Sequence, residues 1–300
     1  MRAAAIFGPG SSQKDLKPFQ LDRDIEWAFQ ISSDANAVLV FGGDGTTHRH
    51  LATLSQLQLP VLVVPHGSGN DFARALGIRK VQHSVSAWRE FCEQAHNVRA
   101  IDLGTIRNAG EAPAPHEILP PETLPQETLF CCVAGVGLDS EVAEAANRLP
   151  RWLRATGGYL FSLLGVLPKF APLPMRISTS QSGTLKPHTS DLLMLAAFAN
   201  TPTYGAGFKI APQAKIDDGQ LDVCLIHGMT NLEVFCLFPT VYFGKHLRIS
   251  KVSYFPTAHA RIETETPLKV YADGEYVCQT PVEIAIRPNA LKVIIPVSRT

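Results

Sequence analysis

The chain has 300 residues, 45 % hydrophobic and 18 % charged, with 27 Lys plus Arg against 27 Asp plus Glu. That length suits two domains, and balanced charge without a Lys/Arg run excludes a duplex nucleic-acid binder, whose phosphates demand a basic stripe. The most apolar window, Tyr159–Leu167, is far shorter than the roughly 20 residues that span a bilayer, and Met1–Phe7 carry no secretory cleavage pattern, so a cytoplasmic protein, soluble or peripheral to the membrane, is expected.

In chain order, strand-like runs Ala3–Phe7, Ala37–Phe41 and Pro60–Val64 alternate with helix-like stretches Asp22–Gln30 and Thr46–Gln56. That β/α alternation predicts a parallel sheet. Ser84–Ala95 reads as a further helix and Val98–Ile106 as a strand, followed by the Pro- and Glu-rich stretch Asn108–Glu127, a long hairpin connection or domain crossover. Beyond it, short strands are predicted at Leu129–Val133, Leu192–Ala199, Leu221–Ile226, His259–Thr264, Leu268–Ala272 and Leu291–Val297. Helical segments interrupt them at Ser140–Asn147, Trp152–Leu167 and Asn231–Phe238. The fold class is therefore an α/β N-terminal part followed by a mainly β C-terminal part.

Six cysteines form no C-x-x-C pair and read as buried free thiols, with adjacent Cys131 and Cys132 directed to opposite faces of a strand. Ten histidines show no zinc spacing, and His48 and His50 read as loop and helix surface.

The sharpest signal is Phe41-Gly42-Gly43-Asp44-Gly45-Thr46-Thr47, where an apolar strand ends and a helix begins. Its glycines admit close backbone approach, and the free N–H groups of the coming helix suit nucleotide phosphates. Asp44 beside such phosphates needs a cation; in a purely structural turn it would instead cap a helix. Pro65-His66-Gly67-Ser68-Gly69-Asn70-Asp71-Phe72-Ala73-Arg74 repeats the architecture after the next strand. Both loops leave carboxyl ends of strands, where open α/β sheets collect ligands. Ser68 offers a hydroxyl to a phosphate or ribose, while Asn70 and Asp71 cap the helix or reach the nucleotide.

These loops resemble those of the diacylglycerol kinase catalytic-domain superfamily, which includes bacterial lipid kinases and sphingosine and ceramide kinases. Ser68 replaces the family's usual Thr. Ala134-Gly135-Val136-Gly137, Gly207–Pro212, Asp217-Asp218-Gly219 and Asp273-Gly274-Glu275 match later family segments in order. The resemblance implies a nucleotide-binding domain over residues 1–127 like that of NAD kinases and diacylglycerol kinases, completed by 289–300. It implies a lipid-binding β-sandwich over 128–288, with the cleft between the two. ATP would be held by Gly42, Gly43, Asp44, Gly45, Thr46, Thr47, Gly67, Ser68, Asn70 and Asp71, together with Mg²⁺. Glu275 would be the general base, assisted by Asp273. A second, structural divalent ion would bind Asp218 and the carbonyls of Lys215 and Gln220. The acceptor would be a hydroxyl of a membrane lipid such as diacylglycerol, phosphatidylglycerol or a sphingoid-like lipid, met through transient peripheral membrane contact.

Read on their own residues, several features keep two meanings. Asp-Gly between apolar strands is a hairpin signal, yet a lipid hydroxyl attacking a γ-phosphate needs a carboxylate to take its proton. Lys215–Gln220 is an ordinary Asp-Gly turn or an oxygen-ligand loop. Asp102 is a third magnesium candidate beside Asp44 and Asp71, or simply a strand residue. Arg151 to Leu167, with Trp152 and Arg154, suits a bilayer interface or a packed core helix. Arg49 stands where the family carries Glu, and the segment between Phe7 and Ala37 is short by one β/α connection. These departures leave a catalytically silent lipid- or nucleotide-binding homologue as one alternative; NAD kinase, which shares the first loop, is the other.

Overall fold

Strand β1 (Arg2–Phe7) opens a sheet whose neighbouring strands are apolar at almost every position, as parallel strands covered on both faces require. The structure, a computed structural model, describes residues 1–20, 24–110, 127–150, 158–205 and 207–297. Strands β2 (Glu26–Ala28), β3 (Ala37–Gly42) and β4 (Val61–Pro65) join β1 in the parallel order β2-β1-β3-β4. Helices α1 (Asp44–Leu57), α2 (Asp71–Ala75) and α3 (Val81–Gln94) connect or cover them.

Strand β2 corrects the helix predicted over Asp22–Gln30, of which residues 22–23 lie outside the described residues. Ile25 and Trp27, two apart, pack on the core, and Trp27 lies against Trp88 at 5.8 Å. Period two and an open sheet edge beside β1 decide the strand. Part of the short Phe7–Ala37 connection is a 3-10 helix, Gln13–Phe19, which buries Leu16 and Phe19 and is tied down by Trp88 Nε1–H donating to Phe19 O at 3.0 Å.

Strand β5 (Val98–Asn108) is followed by β6 (Thr128–Phe130) and β7 (Val133–Gly137); the predicted single strand Leu129–Val133 breaks at Cys131–Cys132. Residues 111–126 of the predicted long connection lie outside the described residues. Next come α4 (Leu138–Arg148), α5 (Gly158–Val166), β8 (Leu173–Ser180), β9 (Lys186–Ala199), β10 (Leu221–His227) and α6 (Asn231–Tyr242). The Arg151–Gly157 part of the predicted amphipathic segment, with Trp152 and Arg154, is likewise outside the description. Strands β11 (Val252–Thr257), β12 (His259–Thr264), β13 (Lys269–Ala272), β14 (Glu275–Gln279) and β15 (Val282–Ile294) close the chain.

The predicted strand Leu291–Val297 is the end of the much longer β15. Pro288 and Asn289 look like a turn in sequence, but the chain absorbs them as an irregularity between Arg287 and Leu291, with Asn289 at φ 52° and its N–H donated to Asp102 at 2.8 Å. β15 runs antiparallel to β5 through both halves of the molecule, and Val293 pairs in parallel with Val61 of β4. The β-rich half folds over its own core, including Phe130, Val136, Ile177, Phe198, Val223, Ile262 and Ile284. Strands β11 and β14 escape the sequence reading because most of their side chains are only partly buried and lack clean alternation, and β8 because only Met175 and Ile177 of its eight residues are buried.

Candidate active site

The two glycine loops leave the ends of neighbouring strands β3 and β4, and their backbones touch. A Cβ on Gly43 would lie 2.9 Å from Gly67 Cα, and one on Gly67 would lie 2.5 Å from Gly43 Cα, so neither position tolerates a side chain without spreading the loops. Asn70, at φ 54°, fastens the second loop by accepting the Gly67 N–H at 2.8 Å and donating to Gly67 O at 2.6 Å. Thr46 packs under Gly42, and Thr47 Oγ donates to Gly43 O at 3.4 Å. Ser68 lies on the wall of the cleft.

Asp44 caps a helix, but not the one it begins. Its two oxygens accept the N–H groups of Asp71 and Phe72, each at 3.0 Å, so the first loop caps α2 at the end of the second. Burial, then the nearby charge of Asp71, pushes the Asp44 carboxyl up to about 6. Asp71 is itself buried, accepts Thr203 Oγ at 2.9 Å and pairs with Arg74, whose guanidinium also donates to Gly69 O at 2.9 Å. Arg49 borders the same cleft.

Asp273 and Gly274 adopt φ of 52° and 85°, the doubly left-handed geometry of a two-residue hairpin turn, and join β13 to β14. The hairpin reading holds, and the turn is also buried at a joint. The Asp273 carboxylate is fully enclosed. It accepts main-chain N–H groups from Cys131 at 2.9 Å, Cys132 at 2.7 Å and Val133 at 3.3 Å, and it faces His48 Nδ1 at 3.0 Å. With its oxygens so engaged, Asp273 fixes the turn against α1 and the β6–β7 corner. Glu275 makes no hydrogen bond among the described residues; it is exposed, lines the cleft, and its Oε1 would stand 2.8 Å from a Cβ on Gly45. An acid from the β-rich half thus meets the first glycine loop of the parallel half.

His48 corrects the surface reading, with only 12 % of its side chain exposed. Burial works against its protonated form, but the bond to Asp273 and the charges of Asp273 and Glu275 outweigh it and raise its pKa above 6.5. Cys131 and Cys132 correct another expectation. The chain bends between β6 and β7, so their sulfurs approach to 3.9 Å instead of facing apart. Cys131, Cys132 and Cys224 are buried as expected, whereas Cys236 is exposed and Cys92 and Cys278 are half-buried.

The cleft has a volume of about 740 Å³. Its loop side is polar, and its other wall carries Tyr159, Tyr204, Phe208 and Tyr242. His66 Nε2, buried in the loop-side wall, has no hydrogen-bond partner among the described residues. Asp139, at the start of α4, is the cleft residue that sequence reasoning missed. Tyr159 donates to it and bonds Tyr204 hydroxyl to hydroxyl at 2.8 Å, while burial raises the Asp139 carboxyl. Gly135-Val136-Gly137 before an acid at a helix start repeats the strand-to-helix signature of the first two loops and was the available signal.

Two predicted metal candidates lie away from the cleft. Asp102 is buried in β5 and accepts Gly219 N–H at 2.7 Å as well as Asn289 N–H, the structural reading of that residue. In the 215–220 loop, exposed Asp218 accepts the Gln220 N–H at 3.1 Å. Cys131, Cys132 and Asp273 bring three potential ligand atoms within 4.8 Å. They do not fit magnesium: burial keeps the Cys131 thiol protonated, the Cys132 thiol is pushed up to about 12, and sulfur is too soft a donor. The crowded carboxylates Asp44 and Asp71 fit it better, because a hard cation there would offset both the burial and, to a lesser extent, the Asp71 charge that raise Asp44.

Residues 13–106 match the model of the diacylglycerol kinase catalytic domain, and residues 132–295 match that of the YegS C-terminal NAD kinase beta sandwich-like domain. The chain belongs to the bacterial diacylglycerol kinase and YegS-like family of lipid kinases. It is 32 % identical over 276 residues to a diacylglycerol kinase of Mycobacterium tuberculosis (strain ATCC 25618 / H37Rv), covering 90 % of this chain and 80 % of that one. A diacylglycerol kinase structure from Bacillus anthracis str. Sterne shares the fold at TM-score 0.65 and 19 % identity, over 98 % of this chain and 96 % of that one. An NAD kinase of Archaeoglobus fulgidus in complex with ATP shares it more distantly, at TM-score 0.53 and 14 % identity over 100 % and 94 % of the two chains. The α/β part of this lipid kinase family member is thus its catalytic domain and the β-rich part its sandwich domain.

Proposed function

We propose that this family member transfers the γ-phosphate of ATP to the hydroxyl of a membrane lipid, with diacylglycerol the leading candidate. The observation that carries the reading is the meeting of Glu275 with Gly45 at the rim of one cleft, an otherwise uncommitted carboxylate beside a glycine loop made for phosphate. Phosphoryl transfer asks the protein mainly for positioning and charge stabilisation, and for a base to take the hydroxyl proton. In this reading Gly42, Gly43, Gly45, Thr46, Thr47, Gly67 and Ser68 shape the phosphate cradle, and Asn70 holds it closed. His66 Nε2 supplies an unspent polar contact to the nucleotide, and Arg49, replacing the family's acid, faces phosphate charge. Asp44 and Asp71 would hold magnesium brought with ATP, directly or through water; that ion would neutralise charge on the phosphate oxygens. Glu275 accepts the lipid hydroxyl proton. Asp273 does not share the proton; it anchors the hairpin that presents Glu275.

The aromatic wall of the cleft supports an apolar acceptor, which NAD is not. A structural divalent ion at Asp218 remains part of the proposal, as does a division of the chain near residue 127 with the final strand returning to the first half. The reading is tested by incubating the protein with γ-labelled ATP, magnesium and a panel of diacylglycerol, phosphatidylglycerol, a sphingoid base and NAD, with products read by mass spectrometry. A phosphorylated lipid that disappears in Glu275→Gln is expected. Phosphorylation of NAD alone, or of nothing, would overturn it.

A further inference from the structure

Three neighbouring strands of the β-rich half each place one polar side chain on the same face. Asp191 stands on β9, His227 on β10 and Ser253 on β11, and β10 pairs with the other two. Side chains two apart on a strand share a face, so Asp191 goes with Leu193 and His227 with Leu225, while Ser253 lies directly opposite Leu225. Leu193 and Leu225 are buried in the sandwich core. The three polar residues border that core at the rim of the sheet, where solvent reaches 51 % of the Asp191 side chain and 23 % of His227, and Ser253 is half-buried.

Their hydrogen bonds run in one direction. His227 Nδ1 lies 2.8 Å from Asp191 Oδ2, and His227 Nε2 lies 2.7 Å from Ser253 Oγ. The other Asp191 oxygen accepts the Leu192 N–H at 2.7 Å, and the bonds from His227 and Leu192 hold the Asp191 carboxyl below its ordinary range. An ionised carboxylate only accepts, so a neutral His227 carries its proton on Nδ1 and turns the Nε2 lone pair to the Ser253 hydroxyl. Ser84 and Ser140 spend their hydroxyls on the main-chain carbonyls of Val63 and Gly135, as structural serines do. Ser253 donates to a base instead. An acid that orients a base that activates a hydroxyl is the arrangement nucleophilic catalysis requires.

The strand register supplies the remaining part. His227 N–H donates to Lys251 O at 2.9 Å, so in this antiparallel pair the main-chain groups of Lys251 and Ser253 face β10, and those of Val252 and Tyr254 face away from it. β11 pairs with β10 alone, which leaves that side as an open edge. Val252 N–H is taken by Ile249 O at 2.9 Å. Tyr254 N–H, immediately after Ser253, has no acceptor among the described residues and is placed to receive an oxyanion, as the N–H following a nucleophile does in hydrolases. On the Asp191 side, a cavity of about 580 Å³ walled by Pro174, Met175 and Leu192, with Arg176 and Glu263, gives room for a small substrate.

We infer that Ser253, His227 and Asp191 form a second active site, which hydrolyses small carboxylic esters. Ser253 Oγ bonds to the ester carbonyl carbon as its proton passes to His227 Nε2. The bond from that carbon to the alcohol oxygen then breaks, and the alcohol leaves with the proton from Nε2. Water attacks the acyl carbon, giving a proton to Nε2; the bond to Ser253 Oγ breaks, the carboxylic acid departs and Oγ recovers the proton. None of the three residues lines the kinase cleft, so the inference is independent of phosphoryl transfer.

The test is incubation of the full chain with a fluorophosphonate probe, the adduct being mapped by mass spectrometry, alongside hydrolysis of p-nitrophenyl acetate and butyrate. The adduct should fall on Ser253 and be absent from Ser253→Ala. Both labelling rate and ester turnover should drop about 10²–10⁴-fold in His227→Gln, and Asp191→Asn should lower them as well, with melting temperatures showing each variant folded. The inference is overturned if wild type takes no label at Ser253, if His227→Gln labels as fast as wild type, or if Ser253→Ala keeps the ester turnover. An adduct at Ser253 without ester turnover overturns it too, because it leaves a reactive serine and no hydrolase.

Discussion

Replacing Asp273 by Asn separates the two acids of the turn. One oxygen of Asp273 accepts from Cys132 and Val133, the other from Cys131, with His48 Nδ1 at 3.0 Å on the same side. An amide of the same shape offers one acceptor oxygen and one NH₂ group, and in either orientation the NH₂ group confronts main-chain donors. About two buried donors lose their partner at roughly 1–3 kcal/mol each, so a loss of about 2–6 kcal/mol of stability is expected. Thermal unfolding followed by circular dichroism should show the midpoint falling by roughly 5–15 °C. Glu275→Gln, at an exposed carboxylate, should leave the midpoint in place while steady-state lipid phosphorylation drops about 10²–10⁴-fold. An Asp273→Asn protein as stable as wild type would refute the anchoring role. Near-normal turnover in Glu275→Gln would move the base elsewhere, with Asp44 next in line.

Gly67→Ala drives a Cβ to 2.5 Å from Gly43 Cα and should cost about 1–3 kcal/mol of stability along with about tenfold or more in ATP affinity by calorimetry; undiminished affinity would place the nucleotide elsewhere. Asp218→Ala should lower the melting temperature in magnesium and blunt the response to chelator, since an ion bound only by the folded chain stabilises it by mass action; identical chelator responses would remove that ion. Asp44, at about 6 in the folded protein against an ordinary 3.8, binds its proton in the folded state first, so stability of the nucleotide-free protein should rise as pH falls through about 6 and level off near 3.8, while magnesium-ATP affinity weakens over the same window. Denaturant titrations across that range should lose this slope in Asp44→Asn. The raised pKa of His48 implies a contribution that is complete below pH 6.5 and is lost as pH rises through the folded value; a His48→Gln melting series whose gap from wild type stays constant with pH would refute it.

The glycine loops and the hairpin are legible in sequence because each is local: Gly-Gly-Asp-Gly at a strand end and Asp-Gly between strands need no distant partner to take their shape. What the acids of the turn do is not local. Asp273 lies 225 positions from His48 and 141 from Cys132, and only the folded chain reveals that its oxygens are already spent. The same distance hid His48, which reads as helix surface until the hairpin arrives above it. Trp27 shows another limit, since Glu26–Ala28 have no strong strand pattern and become β2 through the open edge of β1 and the ring of Trp88. Pro288 and Asn289 concealed the most consequential strand by imitating a turn, although Asp102 accepts the Asn289 N–H and keeps β15 in step with β5. β15 ties the two halves together, so the gap between Gly45 and Glu275 depends on contacts that neither half contains in its own sequence pattern. A change that loosens the β5–β15 pairing should therefore impair phosphoryl transfer before it impairs ATP binding, because the cradle lies wholly on one side of that joint and the base on the other.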